Sequence, residues 1–219
     1  MRQRSQPVPP LMATVRAALA AAGVLLFLSL LAACSSKPES LSPLPPDAII
    51  LAFGDSLTAG TGANEGGSYP TQLAALSGRQ VINAGAPGEV SSQGLARLPG
   101  LLDQHQPHLL ILTHGGNDLL RRMDVVQTRD NLAAMIQLAR DRGTEVLLVA
   151  VPAPTLLRLR SEAIYAELGE AFGIPVENGA LARILSRDAM KSDPIHPNAD
   201  GYRYLAEHIH RLLIETGAL

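Results

Sequence analysis

Short apolar runs alternate with longer amphipathic stretches along most of the chain. Three runs, Ala48–Phe53, His108–Thr113 and Glu145–Val151, are almost continuously apolar, which is typical of strands buried on both faces. Glycine or proline follows each of them within two residues, as is common where a strand ends. Gln80–Asn83 and Ile174–Glu177 predict two shorter strands. We therefore expect five strands.

The segments between these runs have helical periodicity. The predicted helices are Tyr69–Ser77, Ser91–Gln104, Asn131–Arg142, Ser161–Phe172 and Asp200–Thr216. Strands separated by helices imply a parallel sheet that is covered on both faces. The predicted fold is α/β, a three-layer α/β/α sandwich around a five-stranded parallel sheet. Ligands of such sheets bind at the carboxyl ends of the strands, so the functional residues are expected there.

The first 33 residues have the pattern of a secretory signal. Arg2, Arg4 and Arg16 precede an uncharged apolar run over residues 17–33, and small residues stand at its end. The run is short for a membrane-spanning helix, which needs about 20 apolar residues. Its last residues, Leu-Ala-Ala followed by Cys34, resemble the bacterial lipobox. That resemblance implies cleavage before Cys34 and attachment of lipid to its sulfur.

Two alternatives, an uncleaved membrane anchor and an ordinary signal peptide, also place the rest of the chain outside the cytoplasm. By resemblance to bacterial lipoproteins, Ser35 after the cysteine favours the outer membrane. We therefore expect a lipid-anchored protein of the cell envelope, on the outer membrane and facing the periplasm. Ser35–Asp47 contains four prolines and several serines, which predicts a tether. The predicted organisation is a signal peptide over residues 1–33, the lipidated cysteine and tether over 34–47, and a folded domain over 48–219.

Composition and charge narrow the possible partners. Hydrophobic residues make up 47% of the 219 residues, enough for a sizeable core, whereas aromatic residues make up only 3%. Removing the three arginines of the first 33 residues leaves 15 basic and 20 acidic residues, a formal charge of about −5. An acidic domain with few aromatic side chains predicts no nucleic-acid partner. Cys34 is the single cysteine, so no intramolecular disulfide can form.

Glycine-containing loops follow the first two predicted strands. In Gly-Asp-Ser-Leu after the first strand, Ser56 can present its hydroxyl at the sheet edge. The same residues are also good turn chemistry, with a serine that caps a helix. After the second strand, glycines from Gly85 to Gly88 let a backbone approach a ligand or allow a tight turn.

Polar side chains follow the third strand and precede the last helix. Asn117, in His-Gly-Gly-Asn-Asp, places a side-chain amide at the expected edge, although it can equally serve a turn. Asp193 and His196 stand three residues apart in a proline-containing loop. The carboxylate can fix one ring nitrogen and leave the other free as a base. A surface Asp–His pair is the alternative.

The four loops that contain Ser56, Gly88, Asn117 and the Asp193–His196 pair follow one another in the order of the sequence blocks of the SGNH, or GDSL, hydrolase family. The chain resembles this family. The resemblance implies that Ser56 is the nucleophile, that His196 is the general base and then the acid, and that Asp193 orients the imidazole. It also implies an oxyanion hole formed by the amides of Ser56 and Gly88 and the side-chain amide of Asn117.

The resemblance covers about residues 48–216 and implies the flavodoxin-like fold of that family. The stretch GLARLPGLLDQHQPHLLILTHGGND is similar to the bacterial thioesterase I/lysophospholipase/arylesterase branch. Gly85 and Ala86 replace residues that are often bulkier in the branch, which predicts a looser loop. Residues Val151–Arg160 differ from the branch, so its acyl-chain preference does not carry over.

The sequence thus predicts a serine esterase that acts on aryl esters, short acyl esters or lysophospholipids through an acyl-enzyme on Ser56. One alternative is an esterase that removes acetyl groups from a cell-envelope polysaccharide. Another, of a different class, is a non-catalytic binding lipoprotein of the envelope. No cofactor is expected, and no metal, since Asp193, His196 and Asp200 lack further ligands nearby in sequence. We expect a monomer that contacts the membrane through lipid on Cys34.

Overall fold

The computed structural model describes residues 40–154, 159–161 and 163–219. The predicted signal peptide and Cys34 therefore lie outside the described residues. The described residues form one compact unit with its own hydrophobic core. No helix in the described part of the chain is long and apolar enough to cross a membrane.

Five parallel strands form the central sheet. The strands along the chain are β1 (Ile49–Gly54), β2 (Gln80–Gly85), β3 (Leu109–Thr113), β4 (Glu145–Val149), β5 (Pro152–Pro154), β6 (Leu159–Ser161) and β7 (Val176–Glu177). The sheet has the order β2-β1-β3-β4-β7, while β5 and β6 form a separate antiparallel hairpin. The chain reverses direction across the sheet at β1, which puts a topological switch point between β1 and β3.

Helices cover the sheet in two groups. They are α1 (Ser56–Ala59), α2 (Tyr69–Ser77), α3 (Ser91–His105), α4 (Gly116–Leu120), α5 (Val125–Arg140), α6 (Ala163–Phe172), α7 (Ala180–Leu185) and α8 (Ala199–Glu215), with a 3-10 turn at Asp188–Met190. Helix α8 packs against α2 and α7, whereas α5 packs against α3 and α6. The predicted three-layer sandwich is confirmed.

The apolar runs form the core because both faces of the sheet are covered. All five residues of β3 are buried, and so are the last five of β1. Aliphatic side chains dominate this core, and the largest fully buried side chains include Tyr69, Tyr165 and Tyr202. Burial of this apolar surface is the main favourable contribution to folding, at about 25 cal/mol per Å².

Helix α5 begins six residues before the predicted start at Asn131. The side chain of Asp124 accepts a hydrogen bond from the Val126 amide at 2.9 Å and so caps the new first turn. Val125 and Val126 in this turn are exposed, so the turn has no amphipathic pattern. The hairpin β5–β6 and the short helices α1, α4 and α7 were also absent from the predicted elements.

The end of the predicted tether packs on the domain, so the boundary near residue 47 is too late. Leu41 and Leu44 are buried in the core. Their amides donate to the carbonyls of Thr216 and Ala218, at 3.0 and 2.8 Å. The Glu145 carboxylate at the start of β4 accepts hydrogen bonds from the amide and hydroxyl of Ser42. Leu41 and Leu44 are buried, although the prolines and serines around them give the segment the composition of an exposed tether.

Candidate active site

Ser56 lies at the carboxyl end of β1, as the first residue of α1. The Asp55 side chain accepts a hydrogen bond from the Leu57 amide at 3.0 Å and caps this helix. Asp55 is almost fully buried, and this burial raises the pKa of its carboxyl, although the Leu57 hydrogen bond opposes the change. The cap of this helix is therefore Asp55 and not the serine, as the alternative interpretation of the turn had it, and the Ser56 hydroxyl is left to pair with His196.

Ser56, His196 and Asp193 form a hydrogen-bonded chain. The His196 Nε2 lies 3.0 Å from the Ser56 Oγ. The His196 Nδ1 lies 2.7 Å from the Asp193 Oδ2. With the Nδ1 hydrogen donated to the carboxylate, Nε2 is the acceptor that faces the serine hydroxyl. The three residues that the sequence grouped are thus within reach of one another for proton transfer.

The loop before α8 fixes the Asp193 carboxylate. Its Oδ1 accepts the amides of Ile195 and His196, each at 2.9 Å. Burial acts to raise the pKa of Asp193, but the hydrogen bonds from the His196 ring and from these amides outweigh it and hold the pKa below its usual range. Asp193 is therefore ionised at neutral pH.

The groups predicted for the oxyanion hole differ in whether they line the cavity that contains Ser56. Asn117, in α4 after β3, lines this cavity. Its amide donates to the Glu89 carbonyl at 3.0 Å and to the Asp55 Oδ2 at 3.3 Å. Within the described residues, the amides of Ser56 and Gly88 have no hydrogen-bond acceptor. Gly88 has φ 79°, and it is not among the residues that line the cavity.

An open cavity lies over the serine. Its lining is mainly apolar, and Asp55, Ser56, Asn117 and His196 contribute the polar groups. The apolar lining consists of Leu57, Leu120, Val151, Pro152, Leu185, Pro194 and Ile195. A mostly apolar cleft with a few convergent polar groups is typical of a site for a small organic substrate.

The family of this chain follows from the comparison with known proteins. The model of the GDSL-like Lipase/Acylhydrolase family matches residues 52–204, which include every residue of the triad. The chain belongs to this family. It is accordingly a carboxylic ester hydrolase of the serine type.

Named relatives and solved structures agree with this assignment. The Thioesterase 1/protease 1/lysophospholipase L1 of Escherichia coli K12 is 34% identical over 171 residues, 75% of this chain and 82% of that protein. The arylesterase of Vibrio mimicus is 32% identical over 76% of this chain and 88% of that protein. The crystal structure of TesA is similar with a TM-score of 0.67 and 30% identity, over 75% of this chain and 97% of that chain. The esterase AlinE4 has a TM-score of 0.61 and 33% identity, over 77% and 95%. The predicted SGNH hydrolase fold is confirmed.

A partly buried ionic network, absent from the sequence predictions, supports the loop that carries Gly88. The Glu89 carboxylate accepts hydrogen bonds from Arg97 Nε and Nη2, at 2.8 and 2.6 Å. The His114 Nε2 lies 3.2 Å from the same carboxylate, and this ring is fully buried. Burial acts to raise the pKa of Glu89, but the hydrogen bonds from Arg97 and His114 hold it below its usual range.

Gly85 does not loosen its loop as the sequence predicted. A Cβ at this position would lie 2.1 Å from the Ala59 amide nitrogen, so the missing side chain lets β2 approach α1. The next amide, of Ala86, donates to the Gly54 carbonyl at 2.9 Å. The glycine therefore tightens the contact between the nucleophile helix and the loop that follows β2.

Asp118 braces the site and does not line the cavity that contains Ser56. Its carboxylate accepts the Ser91 amide at 2.8 Å and the Ser91 hydroxyl at 2.6 Å, which joins α4 to the start of α3. In the described residues, no group of three or more histidine, cysteine, aspartate or glutamate side chains is arranged to hold a metal ion.

Proposed function

We propose that Ser56 attacks the carbonyl carbon of a carboxylic ester and forms an acyl-enzyme. The observation that supports this is the chain Ser56 Oγ, His196 Nε2, Nδ1 and Asp193 Oδ2, with distances of 3.0 and 2.7 Å, at the edge of an apolar cavity. His196 takes the hydroxyl proton as the bond forms and gives it to the departing alkoxide as the ester bond breaks. Water then attacks the acyl-enzyme by the same steps, and the carboxylic acid leaves.

The ionised Asp193 stabilises the imidazolium that exists between these proton transfers. The negative charge on the tetrahedral intermediate is placed toward the amides of Ser56 and Gly88 and the side-chain amide of Asn117. For Asn117 to donate to this oxygen, its longer hydrogen bond, 3.3 Å to Asp55, is the one to be given up. A donor of this kind typically contributes about 10²–10³ in rate.

We propose aryl esters, short acyl esters and lysophospholipids as the substrate class. The names of the relatives, which include arylesterase and lysophospholipase, support this range. The apolar wall of the cavity, with Leu120, Leu185 and Ile195, favours an acyl or aryl group over a sugar. Removal of acetyl groups from an envelope polysaccharide is the second candidate, because the same triad performs both reactions.

We also propose that the mature chain is a monomeric lipoprotein of the cell envelope, anchored through Cys34. The signal-like pattern of residues 1–33 and the lipobox-like end of that segment support this. Expression of the chain and its Cys34→Ser variant, followed by mass spectrometry of the N-terminal peptide, tests it. An acylated cysteine as the first residue is expected, and an unmodified Cys34 inside an uncut chain would contradict it.

The decisive experiment compares the chain from Ser35 onward with its Ser56→Ala variant on p-nitrophenyl esters of increasing acyl length, and then on lysophospholipid. We expect hydrolysis by the parent chain and loss of about 10⁴-fold or more in the variant. Ser186→Ala, at an exposed serine outside the cavity, is the matched control and should retain full activity. Activity that survives Ser56→Ala would contradict the proposed nucleophile. Release of acetate from acetylated glycan alone would favour the second candidate.

A further inference from the structure

Exposed apolar side chains are concentrated in one segment of the chain, which begins at the cavity with Leu120. Large apolar side chains that are exposed in the described part of the chain include Leu120, Met123, Val125 and Val126, with exposed fractions of 42, 42, 39 and 56%. These four, here called the apolar rim, lie within seven consecutive residues at the end of α4 and the start of α5. Scattered single apolar residues need no explanation, whereas a cluster marks an interaction surface.

The apolar rim is continuous with the substrate cavity. Leu120 belongs to both, since it lines the cavity and is exposed at the same time. Ile195, which also lines the cavity, is 41% exposed and stands next to the catalytic histidine in the chain. A molecule that enters the cavity therefore passes an apolar edge formed by these side chains.

Two arginines interrupt the apolar rim. Neither Arg121 nor Arg122 has a carboxylate within 4 Å among the residues that the structure describes. Arg121 donates to the Gly88 carbonyl at 3.0 Å, while Asp124 is used in capping α5. The backbone of Arg122 is left-handed, with φ 53°, a conformation that costs a non-glycine residue about 1 kcal/mol.

The net charge of the segment that contains the apolar rim is opposite in sign to that of the whole domain. Residues 120–126 carry two arginines and one aspartate, whereas the chain after the predicted signal carries about five more acidic than basic residues. An anionic surface would repel most faces of such a domain and attract this one. Exposed apolar side chains with interspersed arginines are the composition of segments that lie at a phospholipid interface.

We propose that the apolar rim, with Arg121 and Arg122, docks the enzyme on an anionic phospholipid surface and so places the cavity mouth at the lipid. This rests on the proposed function, because a surface-docked esterase gains access to lipid-borne esters. Four apolar side chains from one segment fall well short of the roughly 20–30 residues that each partner contributes to a standard protein interface. A lipid surface requires no such matched area.

Vesicle flotation tests the proposal with the chain from Ser35 onward, in the Ser56→Ala background so that the vesicles are not hydrolysed. We expect binding to vesicles of phosphatidylglycerol and phosphatidylcholine, and binding weaker by roughly tenfold or more in Met123→Ser/Val126→Ser. Leu76→Ser/Ile214→Ser is the matched control, because these exposed apolar residues on α2 and α8 do not line the cavity. Equal loss in the control would overturn the assignment to the rim.

Charge reversal in Arg122→Glu gives a second readout. At low salt, binding of this variant to the anionic vesicles should be weaker than that of the parent chain on the order of tenfold. At high salt, where charges are screened, this difference between the two proteins should disappear. Equal binding of the parent chain to pure phosphatidylcholine would overturn the electrostatic part. Absence of vesicle binding would overturn the proposal, and so would a dimer that the Met123/Val126 changes dissociate.

Activity on a water-soluble ester separates this inference from the proposed function. With Ser56 intact, the Met123→Ser/Val126→Ser and Arg122→Glu variants should hydrolyse p-nitrophenyl butyrate as the parent chain does, since none of the three side chains lines the cavity. Hydrolysis without vesicle binding would refute the docking surface alone. Vesicle binding that depends on the rim, without hydrolysis of any ester, would refute the proposed function alone.

Discussion

Replacement of His114 by leucine tests whether the network of Glu89, Arg97 and His114 is a stabilising feature. The ring is fully buried, its Nδ1 accepts the Gly115 amide at 2.9 Å, and its Nε2 faces the Glu89 carboxylate at 3.2 Å. A nitrogen that accepts an amide hydrogen carries no proton, so the ring is neutral and Nε2 donates to Glu89. Leucine has a similar size and removes both hydrogen bonds.

The magnitude follows from the groups that lose their partners. The buried Gly115 amide is left without an acceptor, which costs about 1–3 kcal/mol. The hydrogen bond to a charged carboxylate contributes about 1.5–3 kcal/mol, but Glu89 keeps both hydrogen bonds from Arg97 and loses less than this. The apolar leucine offsets about 1 kcal/mol. We therefore expect His114→Leu to lower the free energy of unfolding by about 3 kcal/mol, or Tm by about 6–12 °C.

Urea unfolding monitored by circular dichroism at pH 7 measures this change, and His210→Leu provides the comparison. His210 is half-exposed on α8, and we expect its replacement to shift stability by about 0.5 kcal/mol or less. A double-mutant cycle with Glu89→Gln should give a coupling energy of about 0.5–3 kcal/mol. A His114→Leu variant no less stable than His210→Leu, or strict additivity in the cycle, would refute the reasoning.

Further predictions concern the triad, the oxyanion hole and a buried acid. Asp193→Asn should lower kcat on the order of 10⁴-fold with KM little changed, measured on a soluble ester, because the ring loses its oriented tautomer. Asn117→Ala should lower kcat by about 10²–10³, and an unchanged kcat would remove Asn117 from the oxyanion hole. Burial raises the pKa of Glu177, against the opposing hydrogen bonds from Ala180 and Gly179. Glu177 ionises at a lower pH in the unfolded chain, so its own contribution to stability falls as pH rises above about 4.5. Between pH 4 and 7, the free energy of unfolding of Glu177→Gln, measured with urea, should therefore increase relative to that of the parent chain.

The sequence predicts the sheet because its strands are buried on both faces. A strand such as β3, with every residue buried, has to be apolar throughout, and such a run is visible without any structure. The site could be predicted for a related reason. Ser56 and Asn117 each follow a buried strand, and parallel strands bring their carboxyl ends to one edge. Neither argument needs knowledge of side-chain packing.

The contacts that the sequence did not predict depend on the fold or on exposed residues. Glu89, Arg97 and His114 meet because Gly94 of α3 lies against the His114 ring, and no spacing in the chain indicates that pairing. The first turn of α5 has exposed valines, so hydrophobic periodicity could not reveal it, and only Asp124 as a capping residue indicated it. Leu41 and Leu44 are surrounded by prolines and serines, whose composition suggests a tether even where two leucines are buried.

The docking of residues 41–45 determines where the chain enters the domain. Leu41 and Leu44 are bonded to the residues that follow α8, and Ser42 to the first residue of β4. These contacts lie at the amino ends of the strands, whereas Ser56 follows the carboxyl end of β1. The entry point of the chain and the mouth of the cavity are thus on opposite sides of the domain.

This separation has a consequence for the reach of an anchored enzyme. From Cys34 to Ser40 the chain can extend over about 20 Å, while a domain of this size has a diameter of about 40 Å. A lipid on Cys34 would then hold the domain with its cavity pointing away from the leaflet that contains the lipid. As long as Leu41 and Leu44 stay docked, such an enzyme would act outward, on esters in a facing surface or in the space between two membranes.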